Sequence, residues 1–234
     1  GLAAITGNRP FMLLLGGMSV LMAGAIIGAS LHMIVMDKVF SVRSWFPYIL
    51  GAENIASLVS VPFWMAVARR IGKHRTLAFA ALWMAAWSAP IPLLGPGDGM
   101  LYAACIVIRG VAGGALAFLI ASMIADVVDL DTLKPGEARN GMYFALVGTM
   151  TKLGLAVGAL AGTTIPTLFG FETAGANDPE ALFALLVTYA WIPMVIMGLS
   201  APFFWRYPLT EAMQKDLRRQ IEERLAGSAA KIDA

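Results

Sequence analysis

ASMIADVVDLDTLKPGEARNG, residues 121 to 141, is a charged joint between two runs of sequence that are almost wholly apolar. Before it lies MLYAACIVIRGVAGGALAFLIASMI (100–124), and after it MYFALVGTMTKLGLAVGALAGTTIPTLF (142–169). Each run exceeds the roughly 20 residues that a helix needs to cross a hydrocarbon core. The joint carries four carboxylates and two cations, which belong in water. Working outward, further apolar runs cover 11–35, 46–68, 77–94 and 181–204. Their backbones must be helical, because an open sheet edge in lipid leaves amides and carbonyls unpaired. The third run is the shortest, since Pro90 and Pro92 in SAPIPLLGPGDG turn it into a loop. The expectation is an all-α polytopic membrane protein: a six-transmembrane-helix bundle over 1–207 and a cytoplasmic tail over 208–234.

Composition agrees. Hydrophobic residues make up 59% and charged residues 14% of the chain, whereas roughly a quarter of a soluble globular domain is charged. The 24 glycines and 12 prolines are tolerated in membrane helices whose neighbours satisfy freed backbone groups. Cys105, the one cysteine, lies in an apolar run, which excludes a disulfide framework and a thiolate metal site. The net charge of +2 does not mark a nucleic-acid surface, because the basic residues sit in the joints and tail as topology signals.

Those cations set the expected orientation. Arg69, Arg70, Lys73 and Arg75, then Lys134 and Arg139, then Arg206, Lys215, Arg218, Arg219, Arg224 and Lys231 fall on one side of six alternating helices. The other side receives only Lys38 and Arg43, beside the acidic loop GFETAGANDPE. The positive-inside rule places both termini of the segment in the cytoplasm of a multi-pass cell-membrane protein. GLAAITGNRP is no secretory signal, and a start at Gly1 suggests a fragment or processed segment. In the tail, Thr210 is placed to cap a helix whose Met213, Leu217, Ile221 and Leu225 form one apolar stripe. That pattern fits a short amphipathic helix at the membrane surface as well as a plain solubilising tail.

Four ionisable groups fall inside the spans or at their ends: Glu53, Arg109, Asp126 and Lys152. A charge in the membrane interior is costly unless paired or open to water, and so is a functional candidate. Lys152 lies roughly 15 Å along its helix, too deep for easy snorkelling, and is expected to face a central cavity, with a structural ion pair inside the bundle as the alternative. Arg109 can serve a substrate or be held by Glu53. Glu53 and Asn54 point about 100° apart, so one faces the cavity while the other packs; the sequence leaves open which. Tyr143, with Trp64, Trp83 and Trp87, can line a path and stack on sugar faces, or simply pack. Trp45, Phe46, Tyr48, Trp205 and Tyr207 read as interfacial anchors.

Asp126 and Asp129, three apart on one helical face, repel each other and oppose the helix dipole. Arg139, Lys134 and the cluster containing Arg69, Arg70 and Arg75 can neutralise them, as a cytoplasmic gate or as a static network. With Asp131 the spacing resembles part of an EF-hand, but the glycine and glutamate such a loop requires are absent, and no metal site is expected. No HExxH, GxSxG or Walker A pattern occurs, so an enzyme is not expected. Gly154, Gly158 and Gly162 form a smooth stripe for close helix approach.

The stretch SMIADVVDLDTLKPGEARNGMYFALVGTMTKLGLAVG resembles the tenth-helix, loop and eleventh-helix signature of the glycoside-pentoside-hexuronide (GPH):cation symporters. These form the melibiose-permease-like branch of the major facilitator superfamily (MFS). NRPFMLLL and YPLTEAMQKDLRRQIEERL are similar to the flanks of that family's C-terminal half. The resemblance implies two six-helix bundles around a central cavity, with this chain the second, and transport of a sugar with Na⁺ or H⁺ by alternating access. It implies that Lys152 lies near the cation and sugar region, that Asp126, Asp129 and Arg139 belong to the cytoplasmic gate, and that the family's cation carboxylates lie in the N-terminal bundle. DLDTLKPGE departs from the family's usual KTG-like turn, which leaves the particular sugar unassigned. The implied partners are the lipid bilayer, a small-molecule sugar substrate and that N-terminal bundle, with no cofactor beyond the coupling cation. A facilitator or exporter of a lipid-like or drug-like solute and a non-transporting helical assembly protein are the alternatives.

Overall fold

A computed structural model describes residues 6–132 and 140–209 together with Met213, Asp216, Arg219, Gln220 and Glu223. The described residues are helical apart from short connections, and no strand occurs among them. The helices are α1 (Arg9–Lys38), α2 (Phe46–Val59), α3 (Val61–Ile71), α4 (Lys73–Ser88), α5 (Gly99–Thr132), α6 (Asn140–Leu168), α7 (Pro179–Leu186) and α8 (Ile192–Trp205). Five spans are long and apolar enough to cross a membrane, or six when α2 and α3 count as one bent span.

The bend is a departure from the straight helix expected over 46–68. α2 and α3 meet at Ser60 at an angle of 41°. Pro62 has no N–H to offer the carbonyl four residues back and its ring crowds that carbonyl, which breaks the ladder there. The Ser60 hydroxyl oxygen lies 2.8 Å from the Ser57 carbonyl within the break. The fourth span is also longer than expected. Its helix runs past residue 124 to Thr132, because buried Ile124 and Val127 continue the apolar face through the two aspartates. The third span begins earlier, at Lys73, after Gly72 (φ 89°) has turned the chain, and it ends at Ser88 ahead of Pro90 and Pro92.

The sixth span contains a π turn over Val187–Trp191, where Ile192 N–H reaches back to the Val187 carbonyl. Pro193 follows, and as it lacks an N–H, the wider turn costs one bond fewer than in an uninterrupted helix. The turn sets the direction of Tyr189.

Laterally the spans are ordered α6, α1, α7–α8, α4, α5 and α2–α3. The stripe Gly154, Gly158 and Gly162 faces α1, meeting Ala23, Ile26 and Ser30. Two apolar clusters hold the bundle. One lies toward the Lys73 end and includes Phe11, Leu77, Met123, Val127 and Phe204. The other lies toward the opposite end and includes Leu31, Met36, Phe40, Tyr102 and Leu185. On α1 the stretch between the two clusters opens onto a cavity. Thr210, Leu217, Ile221 and Leu225 lie outside the described residues, and Met213 is exposed.

Candidate functional site

The cavity measures ≈ 240 Å³ and is walled by small residues of α1 (Gly24, Ala25, Gly28, Ala29), with His32, Glu53 and Arg109 as its polar groups. α2 brings Glu53 and α5 brings Arg109, and the two form an ion pair, Nη2 to Oε1 3.2 Å. α2 and α5 come this close because Gly110, Gly113 and Gly114 lie under Glu53, Ser57 and Ser60. The Ser60 hydroxyl and the Trp64 indole N–H both donate to the Val111 carbonyl at 2.7 Å, locking the bent span to α5. Arg109 Nε is buried without a partner among the described residues. A paired cation and carboxylate beside an unused donor can bind a hydroxylated solute from three directions.

Next to the pair, Tyr102 and Tyr189 share a hydrogen bond of 2.9 Å, and Tyr189 Oη lies 3.0 Å from His32 Nδ1. These three residues were not among the expected site residues. Two signals could have found them: a histidine within an apolar span is an intramembrane ionisable group, and Pro193 flags an irregular helix at Tyr189.

The expected site residues do not all converge. Of the Glu53–Asn54 alternative, Glu53 lines the cavity; Asn54 is exposed and donates to the Leu50 carbonyl of its own helix at 2.7 Å. Tyr143 requires correction as a cavity residue. It is fully buried, accepts a hydrogen bond from Asn8 at 3.0 Å and sits edge-on to Phe11 with ring centres 4.7 Å apart. It occupies the same face of α6 as the glycine stripe and therefore packs on α1. Lys152 is exposed, has no ion pair among the described residues and is not part of the cavity wall. It lies about 200° around α6 from Gly154, on the side turned away from α1.

At the other helix ends, Asp126 is 3% exposed and pairs with Lys73, Nζ to Oδ2 2.6 Å. Among the described residues the cation of the 69–75 joint that pairs with it is therefore Lys73. Arg69 and Arg70 are exposed, and exposed Arg75 lies 5.7 Å over the Trp205 ring. Lys73 is the first residue of α4 and reaches Asp126 six residues before α5 ends, whereas Arg69 and Arg70 lie exposed in the last turn of α3. Asp129 is half-buried with no ion pair among the described residues, and Arg139 lies outside them. Tyr207 is buried beside this pair; burial, then the Asp126 carboxylate, push its phenol well above the usual tyrosine range.

Comparison with known proteins agrees with this architecture. A family model described as "MFS/sugar transport protein" matches residues 1–211. The chain is 25% identical over 235 residues to a protein of Escherichia coli K12 named glucuronide carrier protein homolog, covering 95% of this chain and 49% of that one. It is 34% identical over 179 residues to an uncharacterised symporter of Synechocystis, covering 72% and 32%. It is 29% identical over 191 residues to the isoprimeverose transporter of Lactiplantibacillus pentosus, covering 80% and 39%. The chain thus spans half or less of the length of these relatives, which are transporters and symporters, not enzymes. With a helical bundle, membrane-spanning lengths and a family match over nearly its whole length, the chain belongs to the MFS/sugar transport family, with GPH-type symporters among its relatives.

Proposed function

We propose that the chain is one six-helix bundle of a sugar:cation symporter working by alternating access, with its solute bound against the α1–α2–α5 wall. The observation that carries this reading is the Glu53–Arg109 pair opening on a ≈ 240 Å³ cavity between otherwise apolar helices. An ion pair kept inside a membrane protein for stability alone gains little over apolar packing, whereas one at a cavity wall can exchange partners with a solute. The names of the relatives, carriers of a glucuronide and of isoprimeverose, support a glycoside as the solute; Na⁺ or H⁺ as the coupling cation is part of the proposal.

Sidedness follows the positive-inside rule, so the Lys73–Asp126 end is cytoplasmic and the His32 end is external. Asp126 and Lys73, with Asp129 and Arg139, then act as an inner gate that opens when water enters between α4 and α5. The exposed polar face of α6 bearing Thr149, Lys152 and Thr163 faces an N-terminal six-helix bundle across the central path, where Lys152 reaches cation and sugar.

Uptake of a panel of glycosides, pentosides and hexuronides by the full transporter containing this chain, with Na⁺ and with a pH gradient, tests the reading. Cation-stimulated uptake, abolished by Lys152→Ala with the fold retained, is the expected result. Folded protein that shows no cation-dependent flux with any member would refute it.

A further inference from the structure

The cavity holds a titratable group to which the transport reading gives no role. His32 is 6% exposed and its ring forms part of the cavity wall with Glu53 and Arg109. The groups facing it are Tyr189 from the π turn, Tyr102 and Arg109 from α5, and the Phe46 ring from the start of the bent span, with Glu53, midway along α2, on the same cavity wall. Nδ1 is engaged by Tyr189, and Tyr189 by Tyr102. Nε2 is buried and has no hydrogen-bond partner among the described residues.

The two hydroxyls in series decide which nitrogen is basic. With Nδ1–H donating to Tyr189 Oη, and Tyr189 O–H donating to Tyr102 Oη, Nε2 keeps a free lone pair within the cavity wall. The opposite polarity buries an Nε2–H donor with no acceptor. Both arrangements leave one group unmet, but only the first leaves Nε2 basic.

We propose that His32 is a proton-binding site of this bundle, loaded at Nε2 from the cavity, with the Glu53 carboxylate as counter-charge. The step forms an N–H bond from the Nε2 lone pair and releases water from hydronium; no electrons are exchanged. Arg109 makes the site releasable. Imidazolium and guanidinium share one carboxylate, so the proton is held when Glu53 turns toward His32 and expelled when Glu53 is fully engaged by Arg109. Aromatic rings on three sides of the imidazole (Phe46, Tyr102, Tyr189) leave room for a proton more readily than for a sugar ring. This inference deepens the symporter reading and rests on it: the coupling ion is H⁺, and one of its sites lies in this half.

The test uses the full transporter containing this chain, as wild type, His32→Gln and Tyr189→Phe. Proton uptake by the purified protein is followed with an indicator dye after a pH jump in weak buffer, and glycoside uptake is followed against external pH. Over the pH jump, His32→Gln should bind one proton fewer than wild type and lose its stimulation by an inward proton gradient. Tyr189→Phe should keep the proton and shift the midpoint. Wild-type uptake should change by up to about tenfold per pH unit on the limb set by this group. A folded His32→Gln protein with an unchanged proton count and pH profile overturns the proposal. Loss of glycoside binding at every pH with an unchanged count also overturns it, giving Nε2 to a ligand hydroxyl. If wild type moves no glycoside, the transport reading fails, while the proton count still decides the fate of the His32 site. Should His32→Gln fail to fold, the Tyr189→Phe midpoint decides: a shift supports the site and no shift overturns it.

Discussion

Replacing Gly114 by alanine tests whether the close approach of α2 and α5 is what holds the cavity wall. A Cβ at this position would fall on the Ser57 carbonyl oxygen, 2.5 Å from Ser60 Oγ and 3.3 Å from Val61 Cγ2. Two of these belong to the backbone or to a hydroxyl already tied to Val111, so no flexible side chain can yield. Restoring a contact distance of ~3.5 Å requires the bent span to retreat by roughly 1 Å. The Ser60–Val111 and Trp64–Val111 bonds, each 2.7 Å, would then lengthen beyond hydrogen-bonding range. Overpacking costs about 1–3 kcal/mol, and each lost bond about 0.5–1.5 kcal/mol. A loss of ~3 kcal/mol corresponds to a fall in Tm of roughly 6–12 °C for a chain of this size. Thermal unfolding in detergent, followed by tryptophan fluorescence, measures it. Gly148→Ala is the control, because a Cβ there meets nothing within 4 Å, and it should be neutral or stabilising by about 0.5–1 kcal/mol. If the two variants unfold within a degree of each other, the clamp is not what positions Glu53 against Arg109.

Trp64→Phe removes one of the two donors to the Val111 carbonyl and should cost about 1 kcal/mol, seen in the same unfolding assay without loss of the bend. Replacing Glu53 and Arg109 together by Met should leave stability within ~1–2 kcal/mol of wild type yet abolish uptake, whereas Arg109→Met alone should destabilise by several kcal/mol, on the order of 3–5, since it strands a carboxylate. Exchanging the inner pair as Lys73→Asp with Asp126→Lys should recover expression and flux lost in either single variant; failure of the exchange to rescue would assign Asp126 a role beyond pairing. Tyr207 Oη is buried without a partner among the described residues, so Tyr207→Phe should be neutral or stabilising by about 1 kcal/mol. Its phenol is raised in the fold, so wild-type stability is complete below the unfolded tyrosine value of about 10 and declines above it. Tyr207→Phe should flatten that alkaline decline in a pH series of unfolding temperatures.

How much of this was legible in the sequence depended on the range of the physics involved. Span number and the helical class follow from the membrane itself, which admits few backbones, and Pro90 and Pro92 gave a local reason for the third run to be cut short, although its bound was set at 94 and the helix stops at Ser88. The bend at Ser60 was equally local, since Pro62 lies inside the second run, but an uninterrupted apolar stretch masks a break that lipid does not punish when α5 supplies the partner. Glu53 and Arg109 could be named as ionisable groups in lipid, yet their pairing required knowing that α2 adjoins α5. Tyr143 shows the reverse failure: an aromatic at a helix end reads alike whether it lines a path or packs, and only the α1–α6 contact, announced by the glycine stripe four residues apart, decides it. Lys73 was hidden among stronger cations, because charge alone does not say which member of a basic cluster begins a helix. His32 has no partner at metal-binding spacing in the sequence, and its only local signal is that it is ionisable within an apolar run. The general step is to treat each intramembrane titratable residue as unexplained until its neighbours are known. For His32 those neighbours are two hydroxyls and, on the same cavity wall, a guanidinium and a carboxylate, an environment that engages one ring nitrogen and leaves Nε2 unpartnered among the described residues.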